Sequence, residues 1–233
     1  MLLLHQTPSS SIMYEQLMTE LADEFWCLAP DTPGFGLSDP LPGKDSIGGY
    51  AAAILDWLQA LKVQDCFLFG HHTGASIAVQ ITDSRPQLVR NLVLSGPPLL
   101  SDAQIVHLKT TLPSFELDRD GYFLIDLWER LSGKNPDAPL ELLFREAISA
   151  LQCRPRYRAA YEAVFDHPFG EQLADISIPV LLLAGAQDSL IASLEPASRL
   201  LQNGTMHIVP HAGTYLCDEA PQQVAQILRT FLA

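Results

Sequence analysis

The sequence predicts an α/β fold in which a mostly parallel sheet is covered by helices on both faces and carries a helical insertion. Short apolar segments alternate with amphipathic helical segments over residues 1–100, a pattern typical of parallel sheets. From about Ser101 to Ser177 helical patterns follow one another without a strand, and the alternation then resumes. The 233 residues fit one such domain better than two equal ones. We therefore predict a core at 1–100 and 178–233 and a helical cap at 101–177.

The individual elements follow from hydrophobic spacing and from breaks at Gly and Pro. The predicted strands are short apolar runs, namely Leu2–Leu4, Phe25–Ala29, Cys66–Phe69, Leu92–Leu94, Pro179–Gly185 and Met206–Pro210. The predicted helices are the amphipathic segments between them, namely Ile12–Glu24, Ser46–Leu61, Thr73–Ser84, Tyr122–Leu131, Leu140–Leu151, Tyr157–Phe165, Leu194–Leu201 and Pro221–Leu232.

Composition and charge limit the classes of partner. Apolar residues make up 48% and charged residues 18%, which is typical of a globular protein. The formal net charge is −13 and Lys and Arg form no cluster, so we expect neither a nucleic-acid partner nor docking on an anionic membrane. No segment approaches the roughly 20 apolar residues of a membrane span. The expected partner is a small-molecule substrate, and a homodimer is left open.

The four cysteines are scattered and form no Cys-x-x-Cys pair. Three lie in apolar segments, so buried free thiols are favoured over a disulfide framework or a metal site. Free thiols suit a reducing compartment, and the leading apolar stretch is too short for a signal peptide. We expect a cytoplasmic protein.

The segment Gly70-His71-His72-Thr73-Gly74, here called the elbow, lies between a predicted strand and a predicted helix. A sharp strand-to-helix turn requires small residues on both sides of its central residue, because a Cβ there would collide with neighbouring backbone. The central residue is then displayed at the carboxyl end of the sheet, where open α/β sheets bind ligands. This pattern makes His72 the central candidate.

Five segments together resemble the α/β-hydrolase superfamily, specifically the capped branch of epoxide hydrolases, haloalkane dehalogenases and carbon–carbon bond hydrolases. His5-Gln6-Thr7-Pro8 resembles the family's H-G-x-P loop, and the stretch 31–39 resembles D-x-P-G-F-G-x-S-D. The elbow resembles the nucleophile elbow, 185–188 resembles the acid loop, and 213–221 resembles the loop and helix that hold the catalytic histidine.

The chain departs from that pattern at three places. His72 stands where the family has serine or aspartate, and Thr214 stands where it has the catalytic histidine, seven residues before Pro221. Asp188 retains the acid position. The family usually has two strands before the one at Leu2–Leu4; either this protein dispenses with them or the given chain begins after them. These are edge strands far from the elbow, so chemistry at His72 does not depend on them.

The resemblance implies a role for each matching residue. We expect Asp188 to orient His72 and stabilise its charge, forming a general acid/base dyad. Thr214, which departs from the family, either hydrogen-bonds the imidazole or the substrate or is a passive loop residue. The backbone N–H groups of Gln6 and Thr73 would form an oxyanion hole, and His5 would fix the loop after the first strand. We expect no cofactor.

Three further candidates for the site that involve histidine are disfavoured by the sequence. We expect the side chain of His71 to point away from the site and to be structural. His211 lies three residues before Thr214, so the register argues against a catalytic role. A metal trio of His72, His211 and Asp188 lacks ligand spacing, so no metal is predicted.

The predicted function is an atypical hydrolase that acts on a small, mostly apolar carbonyl or ester substrate without a serine nucleophile. The apolar substrate is inferred from the Phe, Leu, Trp and Tyr residues of the insertion. Attack by the imidazole itself is disfavoured, because acyl-imidazoles hydrolyse readily. Loss of both serine and histidine leaves open a non-catalytic ligand-binding protein, and the fold also leaves open a lyase or a cofactor-free oxygenase.

Overall fold

The computed structural model describes residues 1–112 and 116–233 of the chain. Its described part contains one sheet in which every neighbouring pair of strands is parallel, in the order β1-β2-β3-β4-β5. The strands are β1 (Leu2–Leu4), β2 (Cys66–His71), β3 (Val89–Ser95), β4 (Val180–Gly185) and β5 (Gly204–Val209). The predicted α/β-hydrolase architecture, a parallel sheet flanked by helices, is confirmed.

Apolar side chains are buried on both faces of the sheet, which explains why the strands read as continuous apolar runs. Leu2 and Leu4 belong to one buried cluster and the intervening Leu3 to another. The helices that cover these faces are α1 (Glu15–Leu21), α2 (Ile47–Ala60), α3 (Thr73–Ser84), α9 (Leu194–Ser198), α10 (Leu216–Glu219) and α11 (Pro221–Leu232). The predicted bounds of α3 and α11 are confirmed.

The predicted strand Phe25–Ala29 is wrong, because only Leu28 pairs, in an isolated parallel bridge with Leu2. The Leu3 N–H donates to the Leu28 carbonyl and the Leu28 N–H donates to the Met1 carbonyl, each at 2.8 Å. The next ladder bond would need an N–H from Pro30, which has none. This segment nevertheless lies beside one edge of β1, whereas β2 pairs with the other edge. The order in which strands are added to the sheet therefore changes direction at β1. Ligands of open α/β sheets bind at such a point.

Between β3 and β4 the described residues form five helices and no strand. They are α4 (Asp102–Thr111), α5 (Tyr122–Lys134), α6 (Leu140–Gln152), α7 (Arg154–Phe165) and α8 (Phe169–Asp175). Residues 113–115, inside the predicted cap range, lie outside the described residues. No helix in the described ranges has both the length and the apolar character needed to cross a bilayer.

Helix bounds differ from prediction mainly in short elements. The helix predicted at Ile12–Glu24 is a 3-10 turn (Ser11–Tyr14) followed by α1. Helices α4, α8 and α10 are additional to the prediction. The start of α4 carries a recognisable signal, since Ser101 and Gln104 form a capping box.

Candidate active site

The elbow places His72 between the end of β2 and the start of α3, with φ 49° and ψ −110°. This positive φ is strained for a residue with a side chain, at a typical cost of about 1–3 kcal/mol. The flanking glycines make the turn sterically possible. A Cβ at Gly70 would overlap the carbonyl oxygen of Gly74, and a Cβ at Gly74 would overlap that of Leu4. The His72 N–H donates to the Ser95 carbonyl at 2.9 Å, which ties the turn to β3.

The imidazole of His72 is bonded to Asp188, which lies in the loop after β4. Nε2 of His72 is 3.0 Å from both carboxylate oxygens of Asp188. The Leu190 N–H donates to Asp188 Oδ1 at 2.7 Å, which orients the buried carboxylate. Burial raises the pKa of Asp188, but the charge and hydrogen bond of His72 outweigh it, so the pKa lies below its ordinary value. The carboxylate is therefore ionised at neutral pH.

Gly96, just after β3, provides the space in which this pair forms. Its φ is 55°, and a Cβ there would overlap Cδ2 and Nε2 of His72 and lie 3.1 Å from Asp188 Oδ2. The sequence analysis did not identify this residue, although Gly-Pro-Pro directly after an apolar strand is a visible signal. Because an ionised carboxylate only accepts, Nε2 of His72 carries the proton. Among the described residues, no group hydrogen-bonds its Nδ1.

His71 supports the ring of His72, contrary to the expectation that its side chain points away. The two imidazoles stack with centroids 4.4 Å apart and planes 18° apart. Nε2 of His71 donates to the Thr214 carbonyl at 2.8 Å, and Nδ1 is 2.8 Å from the Ser95 hydroxyl. Burial, followed by the charge of His72, lowers the pKa of His71 to about 3. His71 is therefore neutral at physiological pH and accepts the Ser95 hydroxyl proton at Nδ1.

Thr214 reaches His72 only through His71. It is fully buried, its carbonyl accepts from His71, and its hydroxyl has no hydrogen-bond partner within the described ranges. His211 is exposed, with a φ of 60°, and the structure brings it to neither His72 nor Asp188.

The geometry does not favour a metal ion at the two histidines. Ligand atoms of His71, His72 and Asp188 lie within 4.8 Å of one another. However, the in-plane lone pairs of two stacked rings run side by side and do not converge on one ion. Both ring nitrogens of His71 and Nε2 of His72 already make hydrogen bonds.

The loop after β1 packs against the first turn of α3. The Thr7 N–H donates to the hydroxyl of Thr73 at 3.3 Å, and that hydroxyl donates to the hydroxyl of Thr7 at 3.0 Å. Gln6 is buried, and both polar atoms of its side chain lack a partner in the described part. His5 donates from Nδ1 to the Gln6 carbonyl at 2.9 Å and accepts the Thr32 N–H at Nε2 at 2.8 Å. His5 thus joins this loop to the D-x-P-G segment, and burial lowers its pKa.

A cavity of about 600 Å³ lies between the elbow and the inserted helices. Thr7, His72 and Thr73 form its floor, whereas Gln6 does not line it. Its walls are largely apolar, formed by Pro98, Leu100, Leu108, Val164, Phe165 and Leu190. Its roof contains Arg130 and Lys134 from α5 and Tyr161 from α7, none of which the sequence analysis identified.

A parallel sheet with a strained strand-to-helix turn, and an acid after a later strand facing that turn, defines the architecture of an α/β-hydrolase. The chain belongs to the alpha/beta hydrolase family, whose model matches residues 1–227.

Two relatives and one solved structure illustrate the likeness. The chain is 26% identical over 244 residues to 2-(acetamidomethylene)succinate hydrolase of Mesorhizobium japonicum, covering all of this chain and 87% of that protein. It is 27% identical over 223 residues to 2-hydroxymuconate semialdehyde hydrolase of Pseudomonas putida, covering 88% and 76%. A thermophilic esterase from Thermogutta terrifontis superposes with a TM-score of 0.84 at 23% identity, covering 99% and 88%, and shows the shared fold.

Proposed function

We propose that this protein is a hydrolase of small carbonyl or ester compounds in which His72, paired with Asp188, acts as the general base. One observation carries the proposal: Nε2 of His72 is 3.0 Å from both oxygens of a buried carboxylate, while the same ring lines the cavity. With its proton on Nε2, the imidazole has an electron pair on Nδ1 that is free to accept a proton. The ionised Asp188 stabilises the imidazolium that forms.

The proposed reaction uses water as the nucleophile. Nδ1 of His72 takes a proton from water, and the hydroxide attacks the substrate carbonyl carbon. When the tetrahedral intermediate collapses, the imidazolium returns its proton to the leaving alkoxide, giving an acid and an alcohol. The reaction balances without a covalent enzyme intermediate or a cofactor.

The negative charge on the attacked oxygen would be stabilised by main-chain donors. Thr73, the first residue of α3, contributes one N–H, and the favourable field of the helix N-terminus adds to it. The second donor comes from the loop after β1. The Thr7 N–H already donates to the Thr73 hydroxyl at 3.3 Å, so the Gln6 N–H expected from the sequence is kept as the second donor.

The walls of the cavity and the relatives support a small substrate. Apolar side chains line most of the cavity, whose volume of about 600 Å³ is in the range that accommodates a small molecule. The two relatives described above are both named as hydrolases. No observation specifically favours a lyase or an oxygenase.

Saturation kinetics on a panel of activated esters test the proposal. We expect His72→Ala and Asp188→Asn each to lower kcat/KM by about a hundredfold or more, the range for a lost acid–base group. Free imidazole also cleaves such esters, so His211→Asn, which removes an exposed imidazole, is the matched control and should retain wild-type activity. Equal rates in wild type and His72→Ala would exclude the dyad and favour the ligand-binding alternative.

A further inference from the structure

Two cations on the cavity roof have no carboxylate partner among the described residues. Arg130 and Lys134 are four residues apart on α5 and therefore lie on one helix face. In residues 1–112 and 116–233, no carboxylate lies within ion-pair distance of either. The half-buried Arg145 and Arg156, in contrast, are each paired with a carboxylate. The two roof cations thus differ from these arginines in having no ion pair within the described part of the chain.

Arg130 is positioned by neutral groups. Its Nε donates to the Tyr157 hydroxyl at 3.0 Å and its Nη1 to the Thr111 carbonyl at 3.4 Å. Its guanidinium lies 5.9 Å from the ring centroid of Tyr161. These contacts hold the side chain over the cavity without cancelling its charge.

The charges of the two cations change the pKa values of neighbouring groups. Burial raises the pKa of Tyr161, but Lys134 and then Arg130 lower it, and the resulting pKa is below the ordinary value. Lys134 also contributes to the lowered pKa of His71, after burial and the charge of His72. The electrostatic effect of Lys134 therefore reaches the elbow, where Asp188 has a larger and opposite effect on the pKa of His71.

Of the residues that the structure describes, two carboxylates lie near the cavity, and neither forms an ion pair with Arg130 or Lys134. Glu129 is exposed at the edge of the cavity, and Asp188 is engaged by His72. The two cations thus form a positive patch on the roof, in a protein whose formal net charge is −13. Desolvated cations are costly unless an anion accompanies them.

We propose that the substrate carries a carboxylate that binds between Arg130 and Lys134 while its reacting carbonyl lies beside His72. The assignment of the reacting end rests on the proposed function, whereas the anion site stands on the roof alone. Nε and Nη1 of Arg130 are already engaged, so its Nη2 and the ammonium of Lys134 are the donors offered to an anion. One donor from each side chain suits a singly charged group with two oxygens.

Equilibrium binding tests this without any turnover. Hexanoate and hexanamide have the same chain and differ in charge, and titration calorimetry on the wild-type protein measures both. We expect hexanoate to bind at least about tenfold more tightly than hexanamide, a difference of ~1.4 kcal/mol. Lys134→Gln should abolish most of that preference and Lys134→Arg should retain it. Arg158→Gln, which removes an exposed cation from α7, should have no effect.

The outcomes separate this inference from the proposed function. Equal binding of the two probes, binding of neither, or the same loss in Arg158→Gln as in Lys134→Gln would overturn the anion site. Selective hexanoate binding that depends on Lys134, in a protein that hydrolyses no ester, would support the anion site and reject the hydrolase. Turnover of neutral esters with no preference for carboxylated ones would support the hydrolase and overturn the anion site. Thermal denaturation of each variant verifies that it is folded.

Discussion

His71 and His72 are adjacent in the chain, yet their rings stack with centroids 4.4 Å apart, so the imidazole of His71 packs against one face of the imidazole of His72. This arrangement arises because the elbow turns the backbone at His72 by a positive φ, returning its ring over the preceding residue. His71 is itself fixed through Ser95 and Thr214. The candidate base is thus held in place by the ring of His71, whose side chain was expected from the sequence to point away from the site.

Replacing His71 with phenylalanine should separate stacking from hydrogen bonding. His71→Phe keeps an aromatic surface under His72 but leaves the Ser95 hydroxyl and the Thr214 carbonyl unpaired. We expect the free energy of unfolding to fall by about 1–3 kcal/mol per buried group left unsatisfied, measured by urea denaturation. An unchanged denaturation midpoint would show that water or a local shift satisfies both groups.

The low pKa of His71 predicts a specific acid sensitivity. The unfolded histidine titrates near 6.5 and the folded one near 3, so only the unfolded state binds this proton between those values. Stability should therefore decrease as pH falls from 6.5 towards 3, by about 1.4 kcal/mol per pH unit for one proton. His5, whose pKa is also lowered by burial, adds to the same trend.

The contribution of His71 is the difference between the stability-versus-pH profiles of the wild type and of His71→Phe. Urea denaturation of wild type and His71→Phe across this pH range should give slopes that differ by one proton. Parallel profiles would mean that His71 is protonated in the folded state or that it titrates identically in both states.

Restoring a serine to the elbow should not create a serine esterase. In His72→Ser the hydroxyl has no base, because Thr214 occupies the family's histidine position and Nε2 of His71 already donates to the Thr214 carbonyl. We expect ester hydrolysis no faster than in His72→Ala, measured as kcat/KM on the same panel. A His72→Ser rate well above that of His72→Ala would reveal an unrecognised base near the elbow.

Gly96 should be intolerant of even one methyl group. Gly96→Ala places a Cβ against His72 and imposes a positive φ on alanine, so we expect kcat to fall by about tenfold or more as the pair with Asp188 is displaced. Gly48→Ala, in α2 where a Cβ meets nothing within 4 Å, is the matched control and should be neutral or stabilising by about 0.5–1 kcal/mol. A Gly96→Ala variant with wild-type kcat would show that the elbow tolerates movement of His72.

Features encoded locally could be predicted from the sequence, and features that depend on packing between distant segments could not. The apolar strands and the glycines of the elbow have direct signals in neighbouring residues, and α3 and α11 occupy their predicted bounds. The predicted strand at Phe25–Ala29 is reduced to one bridge at Leu28, and the next residue that would donate to the ladder is Pro30, which has no N–H. The stacking of His71 under His72 depends on one backbone torsion.

The cations of the roof are an example of a feature that depends on packing between distant segments. Arg130 and Lys134 read as ordinary polar positions of an amphipathic helix. Whether that face meets solvent or a cavity depends on how α5 is held above the elbow, and residues far apart in the chain decide this. Arg145 on α6, for example, donates to Asp218 of α10 at 2.7 Å.

The floor and the roof of the cavity come from separate stretches of chain. The groups around His72 follow strands of the sheet, whereas Arg130, Lys134 and Tyr161 belong to the stretch inserted between β3 and β4. Mutation or exchange within that single insertion would alter which molecules are admitted while the reacting groups keep their positions. Under the proposed function, a change of substrate preference would therefore need substitutions in one continuous stretch of the chain and none at the elbow.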